Sequence, residues 1–86
     1  MGNFYFTEKG FDHYQYWQGQ DRKTLKKINQ LLKSIDRDGP MQGIGKPEPL
    51  KYEPGYSRRI DEENRLVYNV DGDIITVKSC KGHYDD

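Results

Sequence analysis

The stretch "RLVYNVDGDIITVKSC", residues 65–80, decides the fold of this 86-residue chain. Two runs rich in β-branched and aromatic residues, 65–70 and 74–80, flank Asp71-Gly72. Asp-Gly between such runs is a strong short-range hairpin signal. A two-residue loop at Asp71-Gly72 sets Tyr68 opposite Ile75, Leu66 opposite Val77 and Arg65 opposite Lys78. Upstream, "SRRI" (57–60) reads as another strand, and a three-residue loop Glu62-Glu63-Asn64 sets Ile60 opposite Leu66 and Arg59 opposite Val67. Side chains alternate between the faces of a sheet. One face therefore carries Ile60, Leu66, Tyr68, Ile75 and Val77, and the other carries Arg59, Arg65 and Lys78. Helices are expected on the first face, with the second open and cationic.

Working outward, Pro54-Gly55 fits the central positions of a type II turn, a register that leaves Lys51 unplaced. "GPMQGIGKP" (39–47) is glycine-rich but is no phosphate loop, because Gly45-Lys46 is followed by Pro47. Before it, Leu25, Ile28, Leu32 and Ile35 form a helical stripe that opens at the cap residue Asp21 and ends at Gly39-Pro40. Lys23, Lys26, Lys27 and Lys33 fill the other faces and solvate them. Thr7 can cap an earlier helix in which Phe11, Tyr14 and Trp17 recur at every third position, and "NFYFT" (3–7) has strand composition. The order is a strand, two helices and three or four antiparallel strands: a single α+β domain over residues 1–86.

Composition narrows the function. Hydrophobic residues make up only 33%, so the 13% aromatic content, including seven tyrosines, has to build much of the core. Lys+Arg and Asp+Glu are both 14, and this balance gives no long-range steering toward nucleic acid or anionic lipid. Any basic surface must arise from how the fold sorts its charges. Cys80 is the single cysteine and can form no internal disulfide, which fits a reducing cytoplasm. There is no signal peptide and no membrane-length apolar run. One cysteine with His13 and His83 gives no metal-ligand spacing. His13 reads as a helix-surface histidine, Cys80 as a packed strand residue and Trp17 as a core or dimer contact.

One charge is held conspicuously. "GKPEPLK" (45–51) sets Glu48 between two prolines with a lysine on each side. Proline fixes its own φ and biases its neighbour toward extended backbone. That restraint exceeds what a solvated charge needs.

The chain as a whole resembles the YoeB/Txe toxins of the RelE superfamily. The resemblance is carried in order by "YWQ" (16–18), "KKIN" (26–29), "GIGKPEPLK" (43–51), "SRRI" (57–60), "ENRLVY" (63–68) and "HY" (83–84). These toxins are bacterial ribosome-dependent messenger-RNA endonucleases of toxin–antitoxin pairs. The resemblance implies a RelE-like domain, with an N-terminal strand and two helices packed on a twisted antiparallel sheet. It also implies cleavage in the ribosomal A site by transesterification, without cofactor or metal, in the cytoplasm. The implied partners are a YefM-type antitoxin, the ribosome with its messenger RNA, and a second copy in a homodimer, with no membrane.

Such chemistry needs a base for the 2′-hydroxyl proton, a cation for the phosphorane and an acid for the leaving 5′-oxygen. By position the resemblance assigns these to Glu48, Arg65 and His83. It adds Tyr84 to orient the substrate, and Lys51 and Arg59 to hold the phosphate. Lys78 joins them as a substrate-binding cation on the same sheet face. Taken singly, each of these residues reads as an ordinary surface or tail residue; their joint occurrence carries the functional assignment. The chain departs from the pattern in a shorter segment between Lys51 and Ser57, in Tyr56 where tryptophan is usual, in its neutral charge, and in Asp85 and Asp86 after Tyr84. The alternative is a non-catalytic binder: a ParE-like gyrase inhibitor, which is not expected to keep Glu48, Arg65 and His83, or a degenerate RNA- or antitoxin-binding module.

Overall fold

In the computed structural model, which describes residues 2–83, short polar side chains punctuate the first half of the chain. Strand β1 (Asn3–Phe6) leads into helix α1 (Glu8–Gln20), whose N-cap Thr7 accepts from the Gly10 N–H at 3.0 Å. Asp21 then serves two helices. Its own N–H closes α1 on the Trp17 carbonyl, and its carboxylate caps α2 (Arg22–Asp38) by accepting from the N–H groups of Lys23 and Thr24. Helix α2 stops at Gly39, where φ is +100°, a conformation that glycine adopts without a Cβ penalty.

The strands β2 (Glu48–Pro49), β3 (Tyr56–Arg59), β4 (Arg65–Asp71) and β5 (Ile74–Ser79) complete one sheet in the order β1-β5-β4-β3-β2. Neighbours from β2 to β5 are antiparallel, as expected. β1 differs: it lies parallel to β5, with Phe6 beside Val77, so the α+β sheet is mixed.

Both hairpins are displaced by two residues from their expected registers, and an irregularity between Val67 and Tyr68 adds one more where Val67 meets Ser79. Asp71 stays in the ladder opposite Ile74, and the turn is Gly72-Asp73, with Gly72 at φ +62° in the first central position. Tyr68 consequently pairs with Val77 rather than Ile75. Between β3 and β4 the loop is residues 60–64, closed by the Asp61 carboxylate, which accepts from the N–H groups of Glu63 and Asn64 at 2.8 Å each. Arg59 therefore faces Arg65 and not Val67. A slide of two residues leaves every side chain on its face. Ile60, Leu66, Tyr68, Ile75 and Val77 are all buried, joined in the core by Trp17, Ile28, Leu31, Leu32, Ile35 and Cys80. Burying one such aliphatic side chain stabilises the fold by about 1.5–3 kcal/mol.

The second face is not fully open. Pro54-Gly55 belongs to a hairpin loop, residues 50–55, closed by Leu50 N–H on the Gly55 carbonyl at 3.0 Å. Gly55 has φ +130°, well beyond the roughly +80° of a type II turn. The loop folds back over the sheet and is pinned by Lys78, whose Nζ lies 3.4 Å from Glu53 Oε1 and 3.2 Å from the Pro54 carbonyl. Val67 and Leu50 are buried apart from the main core. At the other end of β3–β4 Arg59 stays exposed, with Arg65 half-buried opposite it.

Candidate functional site

Arg65 begins β4, and its guanidinium reaches back across β3. Its Nε and Nη2 donate to Ser57 Oγ at 3.2 and 3.0 Å, and Nη2 lies 3.6 Å from Glu48 Oε2. Ser57 is buried and pairs with Glu48 across β2–β3, so one short hydroxyl sets where the cation meets the carboxylate. Pro49 is tolerated in this ladder because β2 is an edge strand.

The backbone before Glu48 is tightly wound. Gly45 has φ +89° and Lys46 has φ +51°, and the Gly45 carbonyl accepts from the Arg59 N–H at 2.7 Å. A side chain at Gly45 would also press on Leu31.

Arg58, on the core face of β3, organises this loop and was not singled out in the sequence. It is fully buried. Its Nε donates to Tyr68 Oη at 2.8 Å and Nη1 to Ser34 Oγ at 3.0 Å. The remaining donors gather the carbonyls of Ile44, Gly39 and Gln42 at 2.8, 2.8 and 2.6 Å. The charge finds a carboxylate through Ser34, which donates to Asp38 Oδ2 at 3.0 Å. Hydrogen bonding from Arg37, then from Ser34, holds the Asp38 carboxyl below its usual range. Alternation in "SRRI" could have revealed Arg58, since it shares a face with Ile60.

The chain end returns to the same place. The Arg65 N–H donates to the Gly82 carbonyl at 3.0 Å, and the Gly82 N–H donates to Asn64 Oδ1 at 2.8 Å. These bonds bring the backbone preceding the exposed His83 beside Arg65. Arg59 is exposed opposite Arg65, and Lys51 is exposed in the 50–55 loop. Lys78 is engaged by Glu53 and the Pro54 carbonyl. Tyr84, like Asp85 and Asp86, lies outside the described residues.

Two residues assigned no role stand out. His13 is not a bare surface histidine: its Nδ1 accepts from the Cys80 N–H at 3.1 Å. Burial lowers its pKa, and Lys9 and Lys81 lower it further. Cys80 is packed as expected, and burial pushes its thiol up to about 12. Among the described residues, no cluster of three His, Cys, Asp or Glu could hold a metal ion, and no helix is long and apolar enough to cross a membrane.

Residues 6–84 match the family described as "YoeB-like toxin of bacterial type II toxin-antitoxin system". The chain is 47% identical over 81 residues to Toxin YoeB of Escherichia coli strain K12, covering 92% of this chain and 95% of that protein. The matching chain in a YoeB-YefM complex from Staphylococcus aureus superposes with a TM-score of 0.91 at 52% identity, covering 98% of this chain and 99% of its own. A chain of a YoeB dimer from the same organism gives 0.90 at 55% identity, covering 95% and 97%. Sequence family and fold converge over almost the whole length: the chain belongs to the YoeB-like toxins of bacterial type II toxin–antitoxin systems.

Proposed function

We propose that this toxin is an endoribonuclease that cleaves messenger RNA in the ribosomal A site by acid–base transesterification, in the cytoplasm. The observation that carries the reading is the Glu48–Arg65 pair, anchored by Ser57 and joined by the backbone that leads to His83. In the resting protein the carboxylate and guanidinium face each other, and the carboxylate is 66% exposed. Arg65 is largely covered, but Glu48 lies in solvent at 3.6 Å from it, longer than a hydrogen bond, so a phosphate can displace Glu48 from Arg65. That exchange would put Arg65 on the scissile phosphate and free Glu48 beside it.

Glu48 then takes the 2′-hydroxyl proton while the 2′-oxygen attacks phosphorus. Arg65, helped by Arg59 and Lys51, stabilises the phosphorane. The bond to the 5′-oxygen breaks as His83 delivers a proton to it. The products are a 2′,3′-cyclic phosphate, which can open to a 3′-phosphate, and a 5′-hydroxyl. Tyr84 would orient the nucleotide. Lys78 would act indirectly, by holding the 50–55 loop against the sheet. These three roles fall to side chains of the chain itself, so the proposed reaction needs no cofactor or metal.

The expected partners are a YefM-type antitoxin that covers the Arg59–Arg65 end of the sheet, and a second copy of the toxin. The named YoeB-YefM complex and YoeB dimer support both. Primer extension on messages taken shortly after expression tests the activity. New ends at A-site codons are expected; arrested growth with intact message would overturn the reading.

A further inference from the structure

The segment that carries His83 hangs from helix α1 by the backbone of one residue. The Cys80 N–H donates to His13 Nδ1 at 3.1 Å, and the Cys80 carbonyl accepts from Trp17 Nε1 at 2.8 Å. His13 and Trp17 stand one helical turn apart, so both side chains project from the same face of α1. The helix adds two further holds. Cys80 Sγ lies 3.9 Å from the Gly10 carbonyl, and the Lys81 ammonium sits 4.7 Å from the Tyr16 ring centre. On the other side, Asn64 and Arg65 take up the N–H and carbonyl of Gly82. Strand β5 ends at Ser79, so side chains take over where ladder pairing stops.

An imidazole nitrogen is an unusual partner for a backbone N–H, because it accepts only while unprotonated. A protonated His13 would meet the Cys80 N–H donor to donor. Asparagine in its place would accept in either condition, and alanine in neither.

We propose that His13 is a positioning residue for this site: as a neutral imidazole it fixes Cys80 together with Trp17, so that His83 is presented beside Arg65, and its protonation releases the segment. The inference rests on the nuclease reading above. It sets two histidines in opposition, since His83 must carry a proton to act as acid while His13 must not.

The surroundings favour the neutral form. Burial is the largest influence on His13, Lys9 and Lys81 act in the same direction, and Asp12 opposes them. A histidine whose folded pKa is depressed contributes stability that is complete above its ordinary value of about 6.5. That contribution is lost as pH falls through the folded value. The hold is therefore closed at neutral pH and opens on the acid side.

The test compares the wild type with His13→Ala and His13→Asn, by amide hydrogen exchange and by single-turnover cleavage of ribosome-bound message across pH. His13→Ala should lose about tenfold or more of the protection at the Cys80 amide. Its cleavage should slow by roughly tenfold with KM little changed. His13→Asn should keep the protection and most of the rate at neutral pH, and should remain active at lower pH than the wild type. Wild-type exchange at Cys80 in His13→Ala would overturn the proposal, as would an acid limb whose midpoint is the same in His13→Asn as in the wild type. Should the wild type cut no message, the nuclease reading falls, and exchange at Cys80 still decides the hold.

Discussion

Arg65 donates twice to Ser57 Oγ, at 3.0 and 3.2 Å, and thereby stands on a buried hydroxyl while its outer nitrogen faces Glu48. The support makes the guanidinium a fixed cation instead of a swinging one, because two donors of the planar fork are already committed. A preorganised cation needs no reorganisation when negative charge develops on phosphate.

Ser57→Ala should therefore separate support from chemistry. It removes an acceptor and leaves β3 intact, so stability should fall by only about 1 kcal/mol. Cleavage should fall by roughly tenfold, through the rate more than through KM. Thermal unfolding and single-turnover cleavage of the same preparation check both halves.

Arg65→Ala and Glu48→Gln should each slow cleavage by about two or more orders of magnitude. Glutamine keeps the shape of Glu48 but is a poor base, so the folded state should be unchanged by circular dichroism. Near-wild-type rates in both purified variants would remove them from the reaction.

Gly10→Ala should destabilise the protein even though alanine is the better helix former by about 1 kcal/mol. A Cβ at residue 10 would run into the Val77 carbonyl, and backbone cannot swing aside as a side chain can. Helix α1 would have to lift off β5, with a net loss of about 1–3 kcal/mol by urea unfolding. A neutral or stabilising result would mean that this contact is looser than it stands here.

Arg58→Met should cost more stability than Arg65→Ala. It fills similar volume but leaves Ser34 and the carbonyls of Gly39, Gln42 and Ile44 without their donor. Losing several such bonds amounts to about 2–4 kcal/mol, tempered by water reaching the loop. A lowered urea midpoint with an unchanged denaturant slope is the expected signature.

Cys80 should be inert in the folded protein. Its thiol is buried and held at about 12, so almost no thiolate exists near neutrality. Alkylation should proceed only at the rate of unfolding, and fast labelling in native buffer would contradict the packing described.

Much of this was legible in the sequence because the physics involved is local. Thr7 and Asp21 announce helix starts through their own side chains, and strand alternation assigned the two faces correctly even though both hairpins slid by two residues. The slides themselves arise from turn chemistry: Gly72 supplies the positive φ equally well one position earlier in the turn, and Asp61 wraps the 60–64 loop with its carboxylate. What stayed hidden depends on partners distant in sequence. Arg58 is buried because loop carbonyls 14 to 19 residues away converge on it, and His13 meets a backbone amide 67 residues downstream. Ser57 looked ordinary because its importance lies in what Arg65 does with it.

The parallel pairing of β1 with β5 has a consequence for synthesis. The first strand, Asn3–Phe6, finds its place only against Ile74–Val77, and α1 packs on the same late strand. During translation the amino-terminal third therefore waits with its aromatic face unburied until the last strand is made. Contacts this far apart in sequence are slow to close and reward nothing until they do. A nascent chain lacking β5 has neither a finished core nor the segment that carries His83, so on the proposed nuclease reading it could not yet cut the message that encodes it.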